Sequence, residues 1–400
     1  MNEIRDLPLK GIVVADLTQI YNGPYATYLM AMAGARVIKI EPPGGEHLRK
    51  RGANSGAAMP FAMLNGNKES VRIDLKTPEG ISLFLKLIER VDVVVENFAP
   101  GVLERLGIGK QVLLQHNPRL IYASGSGYGN EGLYSKFPAM DLTVQAMSGV
   151  MSVTGEANGS PMKVGPAICD FFGGTHLYGA IVTALFERER SGKGRSVEVS
   201  MMESVYASLS SNLGLYFSSN GEAPMRTGNR HGGLSLCPYN VYPTKDGYIA
   251  IICNHQDHWE GLITAMNRED LKHDERMISM KARVANIDLV DDLIAQWTEQ
   301  FPKQVLFEKL ISYRVPCAPV RDLKEVVNDP HMHARGMLEE ISHPEFGDMT
   351  VARSPLRFDD TPNIKLEPSQ RLGESNKIIF VDWLGLPTSE IELLANKGVI

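Results

Sequence analysis

The chain has 400 residues, 43% of them hydrophobic and 22% charged, with a formal net charge of −6. That length and apolar content suffice for two domains with buried cores, and the acidic balance offers no basic field for nucleic acid. Cys169, Cys237, Cys253 and Cys317 form no C-x-x-C pair, which argues against a zinc ribbon or a disulfide framework. Isolated cysteines, a polar start at Met1–Asp6 and no run of about 18 apolar residues predict a cytoplasmic protein with no membrane span.

The first segment reads as strand, loop, helix, strand. Residues 11–17 form a short apolar run suited to a buried parallel strand. The loop Thr18–Pro24 follows, with Pro24 at the first helical position and Gly34 just past the helix end. Arg36–Ile40 is the next strand, broken by Glu41-Pro42-Pro43-Gly44-Gly45. The pattern repeats: a helix over Gly80–Arg90, a strand over Val91–Val95, a helix near Val102–Leu106 and a strand over Leu120–Ala123. Such alternation implies a parallel α/β sheet, in which ligands bind beyond the carboxyl ends of the strands. Those ends are the loops at 18–24, 41–45, 96–101 and 124–129.

Further on, a helix runs to about Arg190, and Ser196–Met201 alternates like a half-buried strand. From about Gly221 the character changes: a loop over Thr227–Gly233, a strand over Gly247–Ile252, then charged helices from about Trp259 to Tyr313. The expected organisation is a large domain from residues 1–220, a smaller domain over 221–325, and a return to the large domain over 326–400.

Asp170 is the leading catalytic candidate. It lies between the apolar run Val164–Cys169 and the glycine-containing segment Phe171–Ala180, at the mouth of a helix. A carboxylate there can cap the helix, act as a nucleophile, or both. Other chemistries lack their signatures. The loop after the first strand has no G-x-G-x-x-G, and no P-loop or G-x-S-x-G elbow occurs. Ser124–Gly129 carries a G-x-G-x-G that specifies little beyond a loop. His331-Met332-His333 and His255-Gln256-Asp257-His258 lack the helical i, i+4 ligand spacing, so no metal site is expected. Lys39, Lys68, Lys76 and Arg105, near strand ends, are read as solvated unless a phosphorylated ligand gathers them.

Taken in order, several stretches resemble the class III CoA-transferases, the CaiB/BaiF family that includes formyl-CoA transferase. They are Pro8–Leu17, Gly34–Glu41, Leu64–Lys68, Val95–Gly101, Asp141–Gly149, Asp170, Thr244–Tyr248 and Val315–Val320. The resemblance implies a Rossmann-like large domain with a parallel sheet, a smaller α+β domain and an interlocked homodimer. It implies that Asp170 attacks an acyl-CoA thioester to give an acyl-aspartyl anhydride and then an aspartyl-CoA thioester. CoA thioester is then a substrate, no cofactor is tightly bound, and a free carboxylic acid is the acceptor.

Carried over by position, the CoA contacts are Tyr21 and Asn22 in the first loop, with Ile73 and Lys76 flanking adenine and phosphates. Asn97, Phe98 and Arg105 line the nucleotide channel, and Met140 and Asp141 lie near the pantetheine and the reacting centre. Pro42 stands where formyl-CoA transferases carry an arginine. The tetraglycine loop of oxalate-using members is absent, His231-Gly232-Gly233 and Asn254-His255-Gln256 occupying that region. The second half looks closer to members using succinyl-CoA and a dicarboxylic acid. Two alternatives stay open: an α-methylacyl-CoA racemase of the same fold, and a non-catalytic CoA-binding protein. The racemases pair an aspartate with a histidine thirty residues earlier; here that place holds Met140, which cannot carry a proton.

Overall fold

The computed structural model describes residues 6–50, 59–361 and 364–400. The chain divides into two compact units. The first comprises Met1–Val144, Pro166–Val205 and Asp329–Ile400; the second comprises Gln145–Gly165 and Tyr206–Asn328.

A six-stranded sheet organises the first unit. Its strands are β1 (Val13–Asp16), β2 (Arg36–Glu41), β3 (Glu69–Arg72), β4 (Val93–Glu96), β5 (Ile121–Ser126) and β6 (Arg195–Ser200), in the order β3-β2-β1-β4-β5-β6. All five pairings are parallel, with Val14 beside both Val37 and Val93. The near-continuous valine and isoleucine content follows from burial on both faces, because alternate side chains point to opposite sides. Val14, Val37, Val93, Val95 and Ile121 pack on one face with Ala26 and Met30 of helix α1 (Asn22–Met32). Ala15, Ile38, Val94 and Tyr122 pack on the other face with Leu83, Phe84 and Leu87 of the helix Pro78–Ile88. Ile379, Phe380, Ile391 and Leu394 join that second core, so the C-terminal segment completes the large unit.

Local chemistry fixes the helix ends. The helix Pro78–Ile88 starts two residues before Gly80 because Thr77 caps it, accepting the Gly80 N–H at 3.1 Å, and Pro78 fits the first turn. Helix α1 starts at Asn22, two residues before Pro24. After it Gly34 has φ +98°, and a Cβ there would lie 2.5 Å from the Leu7 Cβ, so only glycine fits.

Asp170 lies on the longest helix, Ile168–Ser191. This 24-residue helix is long and apolar enough to cross a membrane by length and composition. Leu177, Ile181, Ala184 and Leu185 are instead buried in the core over the sheet, which makes it a core helix of this unit. Interspersed Gly, Thr and His hide its apolar character from a search for uninterrupted runs.

Lysines 39 and 68 differ from the solvated reading, being 1% and 3% exposed. Lys68 Nζ donates to Asp16, the Pro24 carbonyl, Thr27 Oγ1 and Asn65 Oδ1 at 2.8–3.0 Å. Lys39 Nζ donates to the Thr18 carbonyl at 2.5 Å. Buried Asp16 draws both ammonium groups inward, since a buried charge needs a partner.

The second unit holds an antiparallel sheet whose middle strand is Gly247–Ile252, flanked by Tyr239–Thr244 and Cys317–Pro319. Trp259, Leu262, Ile294 and Leu306 from its helices complete the core. Arg283 is wholly buried there, donating to the carbonyls of Cys237 and Met277 and lying 4.9 Å from the Trp259 ring centre.

Candidate active site

The strand order turns around between β1 and β4, the place in an open parallel sheet where a crevice forms at the carboxyl ends. A cleft of about 480 Å³ lies there, lined by Gln19, Ile20 and Asn22 after β1, His47 and Lys50 after β2, Asn97 and Phe98 after β4, Gly125–Gly127 at the end of β5, and Met140 and Asp170. A second cleft, also about 480 Å³, shares Asn97, Phe98, Ser126 and Gly127 and extends to Arg105, Tyr128, Lys136 and Phe137. Each volume falls within the range of small-molecule sites.

Asp170 is the third residue of its helix, not the residue ahead of it. It therefore does not cap. The helix has no side-chain cap from Ala167; Asp141 supplies one from a separate segment, its Oδ1 accepting the N–H groups of Cys169 at 2.8 Å and Asp170 at 3.3 Å. The Asp170 side chain is left for the cleft, although the residue is only 7% exposed. Burial, with the Asp141 charge adding to it, pushes its carboxyl up to about 7; a hydrogen bond from the Asn22 backbone N–H opposes the rise. A carboxylate at the edge of ionisation, stripped of most of its water and facing a cleft, suits attack on a carbonyl.

Asn22 fits this close only because three glycines yield. A Cβ on Gly125 would lie 2.5 Å from Asn22 Oδ1, one on Gly173 2.2 Å from Nδ2, and one on Gly174 2.5 Å from the Asn22 carbonyl oxygen. The loop before Asn22 is clamped residue by residue. Lys39 holds the Thr18 carbonyl; the Asn97 amide accepts from Gln19 N–H and donates to Gln19 C=O, both at 2.8 Å; Glu46 accepts from Ile20 N–H at 3.2 Å. Ile20 has φ +67°, costly for a β-branched residue and sustained by these bonds.

Among the residues expected at the site, Asn22, Asn97, Phe98, Met140 and Asp170 line the first cleft, and Arg105 the second. Asp141 stands behind Asp170 as the helix cap. Tyr21 stacks on Phe171, ring centres 6.1 Å apart. Ile73 is buried in the core below the end of β3, its N–H donating to Glu41. Lys76 is exposed, its N–H bonded to Asp74. Neither of these two, nor Tyr21, lines the two clefts. The sequence pattern does not single out His47 and Lys50, which also line the first cleft; the break after β2 marks the loop but not which of its residues face the cleft. His255 and His258 sit ring against ring, 5.4 Å apart, and no group of three potential ligands for a metal occurs among the described residues.

Comparison with known proteins agrees with this architecture. Residues 9–376 match the family model described as CoA-transferase family III. The chain is 38% identical to the succinyl-CoA:mesaconate CoA-transferase of Haloarcula marismortui, over 88% of this chain and 90% of that protein. It is 35% identical to the succinate–glutarate CoA-transferase of Agrobacterium fabrum, over 94% and 96%. A CaiB/BaiF family protein from Brucella suis superposes with a TM-score of 0.83 at 33% identity, covering 94% of this chain and all of that one. The chain is a member of CoA-transferase family III.

Proposed function

We propose that this enzyme moves CoA from a donor thioester to a free carboxylic acid, with Asp170 as the nucleophile. An Asp170 oxygen attacks the thioester carbonyl, the C–S bond breaks, and CoA leaves as thiolate from a mixed anhydride. The thiolate attacks the aspartyl carbonyl and releases the donor acid, leaving an aspartyl-CoA thioester. The acceptor carboxylate attacks that thioester, expels the thiolate again and forms its own anhydride; return of the thiolate to the acceptor acyl carbon yields the new thioester and frees Asp170. Holding the thiolate beside the anhydride is a matter of positioning, and the N–H at the head of α1 stands where charge builds on Asp170.

The observation that carries this reading is the Asp170 carboxyl itself: nearly buried, raised to about 7, and lining a cleft that continues into a second one. Arg105 and Lys136 in the second cleft supply cations for CoA phosphates. Met140 lines the first cleft with a thioether that carries no proton, which favours transfer over two-base racemisation. Relatives named for succinyl-CoA, mesaconate and glutarate support succinyl-CoA as donor and a dicarboxylic acid as acceptor. The working form is an interlocked homodimer in the cytoplasm. The test is to incubate the enzyme with succinyl-CoA and hydroxylamine and to map the modified residue by mass spectrometry. A hydroxamate at Asp170 is expected; turnover with Asp170 unmodified excludes the mechanism.

A further inference from the structure

We propose that Lys50, supported by His47, forms an anion subsite of the Asp170 cleft. It holds a charged group of the thioester substrate, either a CoA phosphate or the far carboxylate of a dicarboxylic acyl chain. This rests on the transferase reading.

The turn after β2 is built around inward-facing acids. Glu41 accepts Arg49 Nε and Nη2 at 3.0 and 2.9 Å, the Glu46 N–H at 3.1 Å and Ser70 Oγ at 2.8 Å. Arg49 is pinned further by the Gln370 carbonyl and lies 4.0 Å from the Phe61 ring centre. Glu46 accepts the Leu48 N–H at 2.5 Å and stands 3.9 Å from Lys39. Both acids of the turn are therefore answered from within. His47 and Lys50 are left outside, exposed and lining the cleft. Neither forms an ion pair among the described residues.

The Lys50 side chain is exposed and lies across Gly44. Its ammonium packs over Gly44, where a Cβ would lie 2.9 Å from Nζ, so the missing side chain makes the seat. Asp170 is the only acid in the cleft lining, among the described residues. A cleft with a single acid in its lining and an unanswered ammonium at its edge attracts an anion. Lysine serves phosphate and carboxylate alike, as a point charge.

The test is steady-state kinetics of Lys50→Met, which keeps the aliphatic stem, with succinyl-CoA as donor. KM is expected to rise about tenfold with kcat little changed, the signature of lost uniform binding, and Lys50→Arg should recover most of the loss. Acetyl-CoA and S-succinyl-pantetheine are the two arms. If the penalty disappears with acetyl-CoA, Lys50 holds the far carboxylate; if it disappears with the pantetheine thioester, it holds a phosphate. An unchanged KM, or an equal loss with all three donors, overturns the subsite while leaving the transferase reading intact. Absence of both turnover and calorimetric CoA binding in the unaltered enzyme overturns both.

Discussion

Asp141 caps the helix that carries Asp170, its Oδ1 accepting the N–H of Asp170 itself at 3.3 Å. One acid thus fixes the backbone of the other while its charge raises the other's affinity for a proton. Asp141→Asn separates the two effects, because the amide oxygen still accepts both N–H groups but the charge is gone. The Asp170 carboxyl should then ionise at lower pH, and the acid limb of kcat/KM should move down by about one unit. Asp141→Ala should also lower the denaturant midpoint, a lost cap costing about 1 kcal/mol. The measurement is the pH–rate profile of each variant against the parent.

The raised Asp170 carboxyl predicts a stability gain on its removal. Its folded value, about 7, lies above the ordinary 3.8. The folded state therefore holds the proton more tightly, and relative stability is lost as pH rises from about 4 through 7. Asp170→Asn, which carries no charge, should match the parent near pH 4 and exceed it above pH 7 by up to ~4 kcal/mol. It should also lose turnover while still binding CoA. Urea unfolding at pH 4 and pH 8 checks the first statement. Equal stability of the two proteins at pH 8 would show that Asp170 is not held in a desolvated site.

Much of the large unit was legible before the structure. Val14, Val37 and Val93 belong to runs whose apolar content announces a sheet buried on both faces, and Gly34 announces the turn its φ demands. β3 escaped notice because Glu69-Ser70-Val71-Arg72 is four residues long and polar at three of them; its place is set by pairing with β2. The antiparallel hairpin Leu338–His343 and Gly347–Ala352 escaped for a similar reason, its Glu339 and Glu340 masking the alternation. At the site, Asp170 was legible as a residue but not as a geometry. A pattern of residues places it near a helix start, and only tertiary contact reveals that Asp141 does the capping. The sequence pattern reads Lys39 and Lys68 as solvated because a lysine's default is solvent; what overrides it is Asp16, far away in sequence and buried beside them.

That buried cluster yields a third prediction. Burial alone would raise the Asp16 carboxyl, but Lys39 and Lys68, with the Thr18 and Thr27 hydroxyls, overcome it and hold the group at about 2. The stabilisation is present above about pH 4 and is lost as pH falls toward 2. Lys68→Met leaves Asp16 without its nearest cation, 3.0 Å away. Breaking one side of a buried pair costs about 3–5 kcal/mol, so the denaturant midpoint should fall sharply. The double variant Asp16→Asn/Lys68→Met should recover part of the loss. Failure to recover would mean that Lys68 matters through its contacts with Pro24, Thr27 and Asn65 rather than through charge.

Gly173 tests whether close packing of Asn22 governs the site. Within a helix, alanine is favoured over glycine by about 1 kcal/mol, so Gly173→Ala would stabilise if nothing stood in the way. Here the new Cβ would lie 2.2 Å from Asn22 Nδ2 and 3.0 Å from Met201 Cγ, and Asn22 is only 2% exposed, with little room to retreat. Overpacking costs about 1–3 kcal/mol, which cancels or exceeds the propensity gain. The displaced Asn22 also carries the N–H that faces the Asp170 carboxylate. We therefore expect Gly173→Ala to be neutral to destabilising and to lower kcat/KM about tenfold or more. Gly179→Ala on the same helix, where no atom lies within 4 Å, should stabilise by up to ~1 kcal/mol and leave kcat/KM unchanged. If both variants keep full activity, the tight seat of Asn22 against the Asp170 helix is not what positions the nucleophile.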